Sequence, residues 1–289
     1  METGASAADR LKAWLQYPLP HHLISRLTHR LTRIETPALK DWAIRDFVRR
    51  FGVDMSEAAE PDTRAYKTFN AFFTRSLKPG ARPIAAGRDA LACPVDGAVS
   101  QLGGIEEGRI FQAKGQSYTT LELLGGDAEE AARYAGGSFA TLYLSPKDYH
   151  RIHMPLAGDL RRMLHVPGRL FSVNPPTTRA VPRLFARNER VACCFDTEAG
   201  PMALVMVGAL NVASIETVWA GEVTPPMGRR VQVWDYKPGE TRLEKGAEAG
   251  RFNMGSTVIL LFAKGRVRWE PEYAPGSAVR MGRKLASLI

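Results

Sequence analysis

A serine, two histidines and an aspartate are the side chains of this sequence best suited to act together chemically. Ser256 lies in Glu248-Ala-Gly-Arg-Phe-Asn-Met-Gly-Ser-Thr-Val-Ile-Leu-Leu-Phe262, where Gly255 precedes it and a β-branched apolar run follows. Gly255 lacks a Cβ, so a nucleophile can approach its carbonyl closely. A serine hydroxyl hardly ionises at neutral pH, so it needs a base, and the base needs a group that fixes its tautomer. Leu144-Ser-Pro-Lys-Asp-Tyr-His-Arg-Ile-His-Met-Pro155 supplies His150 and His153, and Cys93-Pro-Val-Asp-Gly-Ala-Val99 supplies Asp96. The two histidines are three apart and would share one side of a helix, if that segment is helical. Taken singly, Gly-Ser-Thr before a strand reads as a tight turn, and Asp in Pro-Val-Asp-Gly as a turn cap.

Together these three stretches resemble the phosphatidylserine decarboxylases, which are pyruvoyl enzymes. The likeness extends to Pro167-Gly-Arg-Leu-Phe-Ser-Val-Asn-Pro175 and Leu184-Phe-Ala-Arg-Asn-Glu-Arg190, and it covers nearly the whole chain. It implies that Ser256 Oγ adds to the Gly255 carbonyl while His153 takes its proton and Asp96 orients His153. The resulting ester eliminates to a dehydroalanine, and hydrolysis with loss of ammonia leaves a pyruvoyl group at position 256. The chain would then be cut into a β chain, 1–255, and an α chain, 256–289. The resemblance further implies that the pyruvoyl cofactor forms a Schiff base with phosphatidylserine and acts as an electron sink as carbon dioxide leaves. His150 would be the general acid that reprotonates the carbon, releasing phosphatidylethanolamine. Met254 stands where the family commonly has leucine, a swap between flexible apolar residues of similar volume.

Two other classes compete. A serine hydrolase using Ser256, His153 and Asp96 would ordinarily show a G-x-S-x-G elbow, and Met254-Gly-Ser-Thr-Val258 does not fit it. A non-catalytic basic module binding membrane or nucleic acid would rest on the net charge of +9 alone and would leave the Gly255 backbone intact. No nucleic-acid motif accompanies that charge, so nucleic acid is not expected as a partner.

The elements that must position these residues are legible in outline. From Asp9 to Phe51 the pattern is helical, broken near Pro18, Pro20 and Pro37 into three pieces. Leu23, Leu27, Leu31 and Ile34 line one face, with Arg26, His29, Arg30 and Arg33 assigned to the other. Nine Lys or Arg against four Asp or Glu in this stretch, together with Trp14, Leu15 and Leu19, read as an interfacial helix set. The alternative is an amphipathic helix packed on its own core. His21, His22 and His29 read as surface groups. Thr68-Phe-Asn-Ala-Phe-Phe-Thr-Arg-Ser76 reads as a short helix with core aromatics, followed by a Lys-Pro-Gly-Ala-Arg-Pro turn.

From Leu91 onward short apolar runs such as 97–104, 138–144 and 202–207 alternate with Gly-rich turns, and Leu121 to Tyr134 reads as an interposed helix. The expected fold is therefore α+β, with amphipathic helices in a membrane-associating region, 1–83, and a β-rich catalytic domain, 84–289. The resemblance adds a sandwich or barrel-like core. Arg161 to Arg190 reads as a basic loop able to grip a phosphate or carboxylate, and His165 within it as structural.

At 289 residues and 45% hydrophobic, the chain can bury one substantial core. Cys93, Cys193 and Cys194 cannot all pair and two are adjacent, so a reducing compartment fits, and no metal-ligand spacing appears. The amino terminus lacks a signal-peptide pattern, and no apolar run is long enough to span a bilayer. The expected location is peripheral, at the cytoplasmic face of the cell membrane. An anionic surface and phosphatidylserine are the expected partners, and a homo-oligomer is left open.

Overall fold

In the computed structural model, residues 4–210, 214–224, 230–254 and 257–289 are described. The prolines divide the amino-terminal region as their geometry requires, into α1 (Ala7–Trp14), α2 (His21–Leu31) and α3 (Pro37–Phe51). Ser6 and Asp9 form a capping box at the start of α1, and Gly52, with φ of 65°, ends α3 in the left-handed region. Thr68 then caps the single turn α4 (Phe69–Phe73).

The β-rich body begins with β1 (Ala90–Ala92), β2 (Gly97–Gly104) and the hairpin of β3 (Arg109–Ala113) with β4 (Gln116–Thr119). The expected helix over Leu121 to Tyr134 is two short ones, α5 (Thr120–Leu123) and α6 (Ala128–Ala132). Gly125 and Gly126 both have positive φ and stop the first, and the Asp127 side chain caps the second. Then follow β5 (Ser138–Tyr143), β6 (Arg151–His153), β7 (Gly158–Val166), α7 (Pro175–Ala180), α8 (Leu184–Arg187), β8 (Arg190–Thr197) and β9 (Gly200–Val207). The short strands β10 (Ile215–Thr217), β11 (Gly221–Thr224), β12 (Gln232–Asp235) and β13 (Arg242–Leu243) lead to β14 (Glu248–Phe252) and β15 (Thr257–Phe262). The chain closes with β16 (Val267–Trp269), β17 (Ala278–Val279) and β18 (Lys284–Leu288).

Among the described residues the strands form one large sheet, ordered β12-β7-β8-β9-β15-β5-β2-β17 with β13 beside β7, and three smaller ones. The pairings are antiparallel and the large sheet does not close on itself, so the fold is α+β with a β-rich body and no closed barrel. β15 lies between β5 and β9 with all six residues buried, which is why Val258 to Phe262 is continuously apolar. Each such side chain contributes roughly 1.5–3 kcal/mol of burial, an upper estimate for a chain that is partly collapsed when unfolded. A smaller sheet, ordered β11-β10-β14-β6, brings the strand before Gly255 against the strand that carries His153.

The amino-terminal helices turn different sides inward: α1 buries Asp9 and Ala13, α2 buries His21 and Ser25, and α3 buries Lys40 and Ile44. His21 is 3% exposed and is not a surface group: its Nδ1 accepts from Leu170 N–H at 3.1 Å and its Nε2 donates to the Gln16 carbonyl at 2.7 Å. His22 bonds the Gly168 carbonyl, and His29 bonds Glu222. Leu23, Leu27 and Leu31 face out, and Arg26 and Arg30 share their half of the helix instead of lying opposite. The helix is therefore not packed on a core of its own leucines. With Leu11, Trp14, Leu15, Leu39 and Trp42, these outward residues are each 46–67% exposed.

The Arg161–Arg190 stretch is mostly regular structure and not a loop, and its arginines have internal partners. Arg190 is fully buried and donates to four backbone carbonyls, Arg179 pairs with Asp9, and Arg162 pairs with Asp127 and Asp235. His165, fully buried, bonds Glu189 at 3.0 Å, as a structural residue would.

Candidate active site

The histidine segment is extended, not helical, because β6 pairs with β14: Arg151 lies opposite Arg251 and His153 opposite Glu248. Successive side chains of an extended chain alternate sides. Tyr149 and His153 therefore share one side, and His150 and Ile152 are fully buried on the other. The two histidines are divided between two environments.

The His153 Nδ1–H donates to the Gly246 carbonyl at 2.8 Å, which leaves Nε2 as the acceptor for the Tyr149 hydroxyl at 3.0 Å. Gly246 has φ of 83°, and a Cβ there would strike Ile84. Burial pulls the His153 ring below the usual histidine range, outweighing the Gly246 hydrogen bond that opposes it. Orientation of His153 by Asp96 is thus not the geometry found, because a backbone carbonyl holds Nδ1. Asp96 instead takes the Arg82 guanidinium at 3.0 and 3.2 Å and the Met281 N–H at 2.8 Å. Arg82 also bonds Glu57, which pairs in turn with Arg280. Asp96 lies close to β6 through the backbone, since the His153 N–H donates to the Pro94 carbonyl at 2.9 Å.

On the other side, the His150 Nδ1–H donates to the Asp148 carbonyl at 2.8 Å, and its ring centroid lies 4.1 Å from that of Phe73. Burial pushes the ring down to about 3, so it is neutral at pH 7 with its lone pair on Nε2. That atom is buried and has no partner among the described residues. The His150 carbonyl accepts from Phe252 N–H at 3.1 Å, which puts His150 against the strand that runs into Met254.

Gly255 and Ser256 lie outside the described residues, but both flanks are fixed. Met254 packs on a small apolar cluster of Ile44, Val53, Phe72 and Phe73 that the amino-terminal helices build. Thr257 is fully buried opposite Tyr143, with its Oγ1 unpartnered among the described residues. Tyr143 borders three cavities among the described residues, and two of them include residues of this site. One, of about 270 Å³, is mainly apolar and includes Phe47, Phe51, Phe73 and Met254. The other, of about 800 Å³, is lined by many charged side chains, including Arg82, Asp96, Lys147 and Asp148.

Three groups at this site escaped the sequence reading. Arg82 sat in what read as a surface turn. Tyr149 would have emerged had the segment been read as a strand, four residues from His153 on the same side. The Gly246 carbonyl, a backbone group, leaves no side-chain signal.

A family profile described as phosphatidylserine decarboxylase matches residues 69–287, and a second, described as PSD, matches residues 11–52. The chain is 61% identical over 261 residues to a protein of Alkalilimnicola ehrlichii, covering 90% of this chain and 91% of that one. It is 60% identical over 281 residues to one of Bordetella pertussis (96% and 94% covered) and 57% identical over 284 residues to one of Shewanella baltica (97% of both). All three relatives are named phosphatidylserine decarboxylase proenzyme.

Proposed function

The chain belongs to the phosphatidylserine decarboxylase family, and from that premise we propose that it decarboxylates phosphatidylserine to phosphatidylethanolamine on a pyruvoyl group formed from its own Ser256. The observation that carries the finer reading concerns two of the buried polar atoms that lack partners among the described residues, His150 Nε2 and Thr257 Oγ1. One sits on the residue facing Phe252, and the other on the residue after Ser256. Leaving a buried polar atom unpaired costs about 1–3 kcal/mol, and such atoms call for an explanation, a catalytic role being one. The Thr257 hydroxyl can donate to a carbonyl oxygen at position 256, and the His150 Nε2 lone pair can take a proton from an amine that reacts there. When present, the pyruvoyl group supplies an electron sink for the carbon that loses carbon dioxide.

The chain's own residues handle the protons. Self-cleavage replaces the Gly255–Ser256 amide with an ester to Ser256 Oγ, and the hydroxyl proton goes to His153 Nε2, the ring nitrogen that Gly246 leaves free of hydrogen. Asp96, tied to Arg82 and Met281, steadies the loop on which His153 leans through Pro94. Phosphatidylserine arrives with an ammonium group that must lose a proton before its nitrogen can react. A neutral His150 accepts that proton at Nε2 and returns it to the carbon after carbon dioxide has left. This sequence reconciles a resting ring held neutral with a general acid later in the cycle.

The amphiphilic substrate suits the paired cavities, with acyl chains toward Phe47, Phe51 and Met254 and the charged head toward the polar side. Among the described residues no helix is long and apolar enough to cross a membrane. The outward leucines and tryptophans of α1–α3, interleaved with arginine and lysine, support peripheral docking on an anionic bilayer. Carbon dioxide release from phosphatidylserine vesicles tests the reading. Ser256→Ala should stay one chain of 289 residues and release none, and a Ser256→Ala protein that still decarboxylates would overturn it.

A further inference from the structure

We propose that the side chains of Asn70, Asn253, Ser214 and Glu222, buried at Asn253 and Ser214 and reaching solvent at Glu222, form a strut that sets the Gly255–Ser256 bond for cleavage and is anchored on α2. The proposal rests on the self-cleavage reading above and deepens it. Asn253 is 1% exposed, two residues before Gly255 in the chain. It is held three ways: its backbone N–H donates to the Ser214 carbonyl at 3.0 Å, its Nδ2 to Ser214 Oγ, and its Oδ1 accepts from Asn70 Nδ2 at 3.0 Å. Ser214 Oγ, also buried, donates to Glu222 Oε1 at 2.6 Å.

Both ends of this chain return to the carboxyl end of α2 and the two residues that follow it. At one end the Glu222 carboxylate takes His29 Nε2 at 3.1 Å and the Arg33 guanidinium. Burial alone would raise the Glu222 carboxyl, but Ser214, Arg33 and His29 outweigh it and hold it low, so the charge that anchors the strut persists. At the other end the Asn70 N–H donates to the Thr32 carbonyl at 2.8 Å. The hydrogen bonds thus close a ring from α2 through Asn253 and back. Beside it, Met254 is fixed by apolar contact with Phe72, Phe73 and Ile44.

The two residues before Gly255 are therefore held by independent means, one polar and one apolar. Simple burial of a turn does not need four consecutive polar side chains, since an apolar replacement of similar shape is often as stable. Attack by Ser256 on its own backbone does need placement, because a misplacement of about 1 Å can cost about 10²-fold in rate. Asn253, Ser214 and Glu222 are positioning residues in this scheme. The ring also ties the helix with the outward leucines to the bond that is cut.

The test is a pulse-chase of the full-length chain made in a cell-free system, following conversion to two chains on denaturing gels, with melting temperatures measured in parallel. Ser214→Ala breaks the strut at its centre, and Glu222→Gln keeps an acceptor for Ser214 but discards the charge that holds α2. Each should slow cleavage about tenfold or more at an unchanged melting temperature, and the double variant should be no slower than Ser214→Ala alone. Cleavage at the parental rate, slowing that appears only with a drop in melting temperature, or effects that multiply in the double variant would each overturn the strut. Should Ser214→Ala fail to fold, Glu222→Gln at the solvent edge decides the matter alone. An unaltered chain that is never cut at Gly255 would refute the self-cleavage reading itself, a result distinct from variants cut as fast as their parent.

Discussion

Two histidines three residues apart lie on opposite sides of an extended chain, and the proposed mechanism gives them different work. His153→Ala should leave the precursor uncut on denaturing gels. His150→Ala should be cut normally but turn over about 10²–10⁴-fold more slowly, the usual loss for a missing general acid or base; equal failure of both to cut would refute the division. Because the Tyr149 hydroxyl occupies His153 Nε2, Tyr149→Phe separates two roles. If the phenol passes the Ser256 proton on, cleavage slows toward that of His153→Ala, and if it only caps the ring, cleavage proceeds at the parental rate or faster. His150 also makes stability depend on pH. Its folded value near 3 lies below the unfolded value of 6.5, so between these the unfolded chain binds the extra proton. The contribution is present above about pH 6.5 and is lost as pH falls toward 3, at about 1.4 kcal/mol for each pH unit in that window. Thermal melts of His150→Gln should show a shallower decline from pH 6.5 to 4 than the parent. The sequence made the residue types at the site legible, but not their partners. An arginine in a Lys-Pro-Gly-Ala-Arg-Pro turn looks like any surface arginine, and only tertiary contact makes Arg82 the partner of Asp96.

At the level of elements, prolines and apolar runs were the clearest signals, because each acts locally. Pro18, Pro20 and Pro37 divide the three helices, and 97–104 and 138–144 recur almost unchanged as strands. What the helical period leaves undetermined is which face turns to the protein. Leu23, Leu27 and Leu31 define a stripe in the sequence, yet α2 buries His21 and Ser25 and turns the leucines outward. An apolar stripe held away from the protein has a membrane as its natural counterpart. The same packing argues against testing that idea by removing residues 1 to 51. Gln16, His21 and Asp9 bond Ser172, Leu170 and Arg179, so truncation would strip partners from the body. Leu23→Gln, Leu27→Gln and Leu31→Gln together change only the outward side. This triple variant should melt within a few degrees of the parent, sediment less with anionic liposomes, and lose more activity on vesicle-embedded phosphatidylserine than on a short-chain soluble form. Undiminished sedimentation would move the membrane contact away from α2.

For the whole molecule, the net charge of +9 and the outward apolar side chains would contribute to the proposed membrane docking in different ways. Basic residues near an anionic bilayer add about 1 kcal/mol each, and salt screens this within about 10 Å at 0.1 M, whereas the apolar term persists. Raising salt should therefore weaken liposome binding without abolishing it. The amino-terminal helices join the β-rich body both through hydrogen bonds such as that of His21 with Leu170 and through the cluster that seats Met254, so the proposed lipid contact and the proposed chemistry would share one support. Central to all of this is the proposal that the chain makes its own cofactor, which the intact mass of the denatured, purified protein tests most directly. The pyruvoyl reading requires two species, a chain of 255 residues ending at Gly255 and one of 34 residues (289 − 255) whose first residue is blocked to Edman degradation. A single uncut chain of 289 residues that nevertheless decarboxylates phosphatidylserine would contradict it.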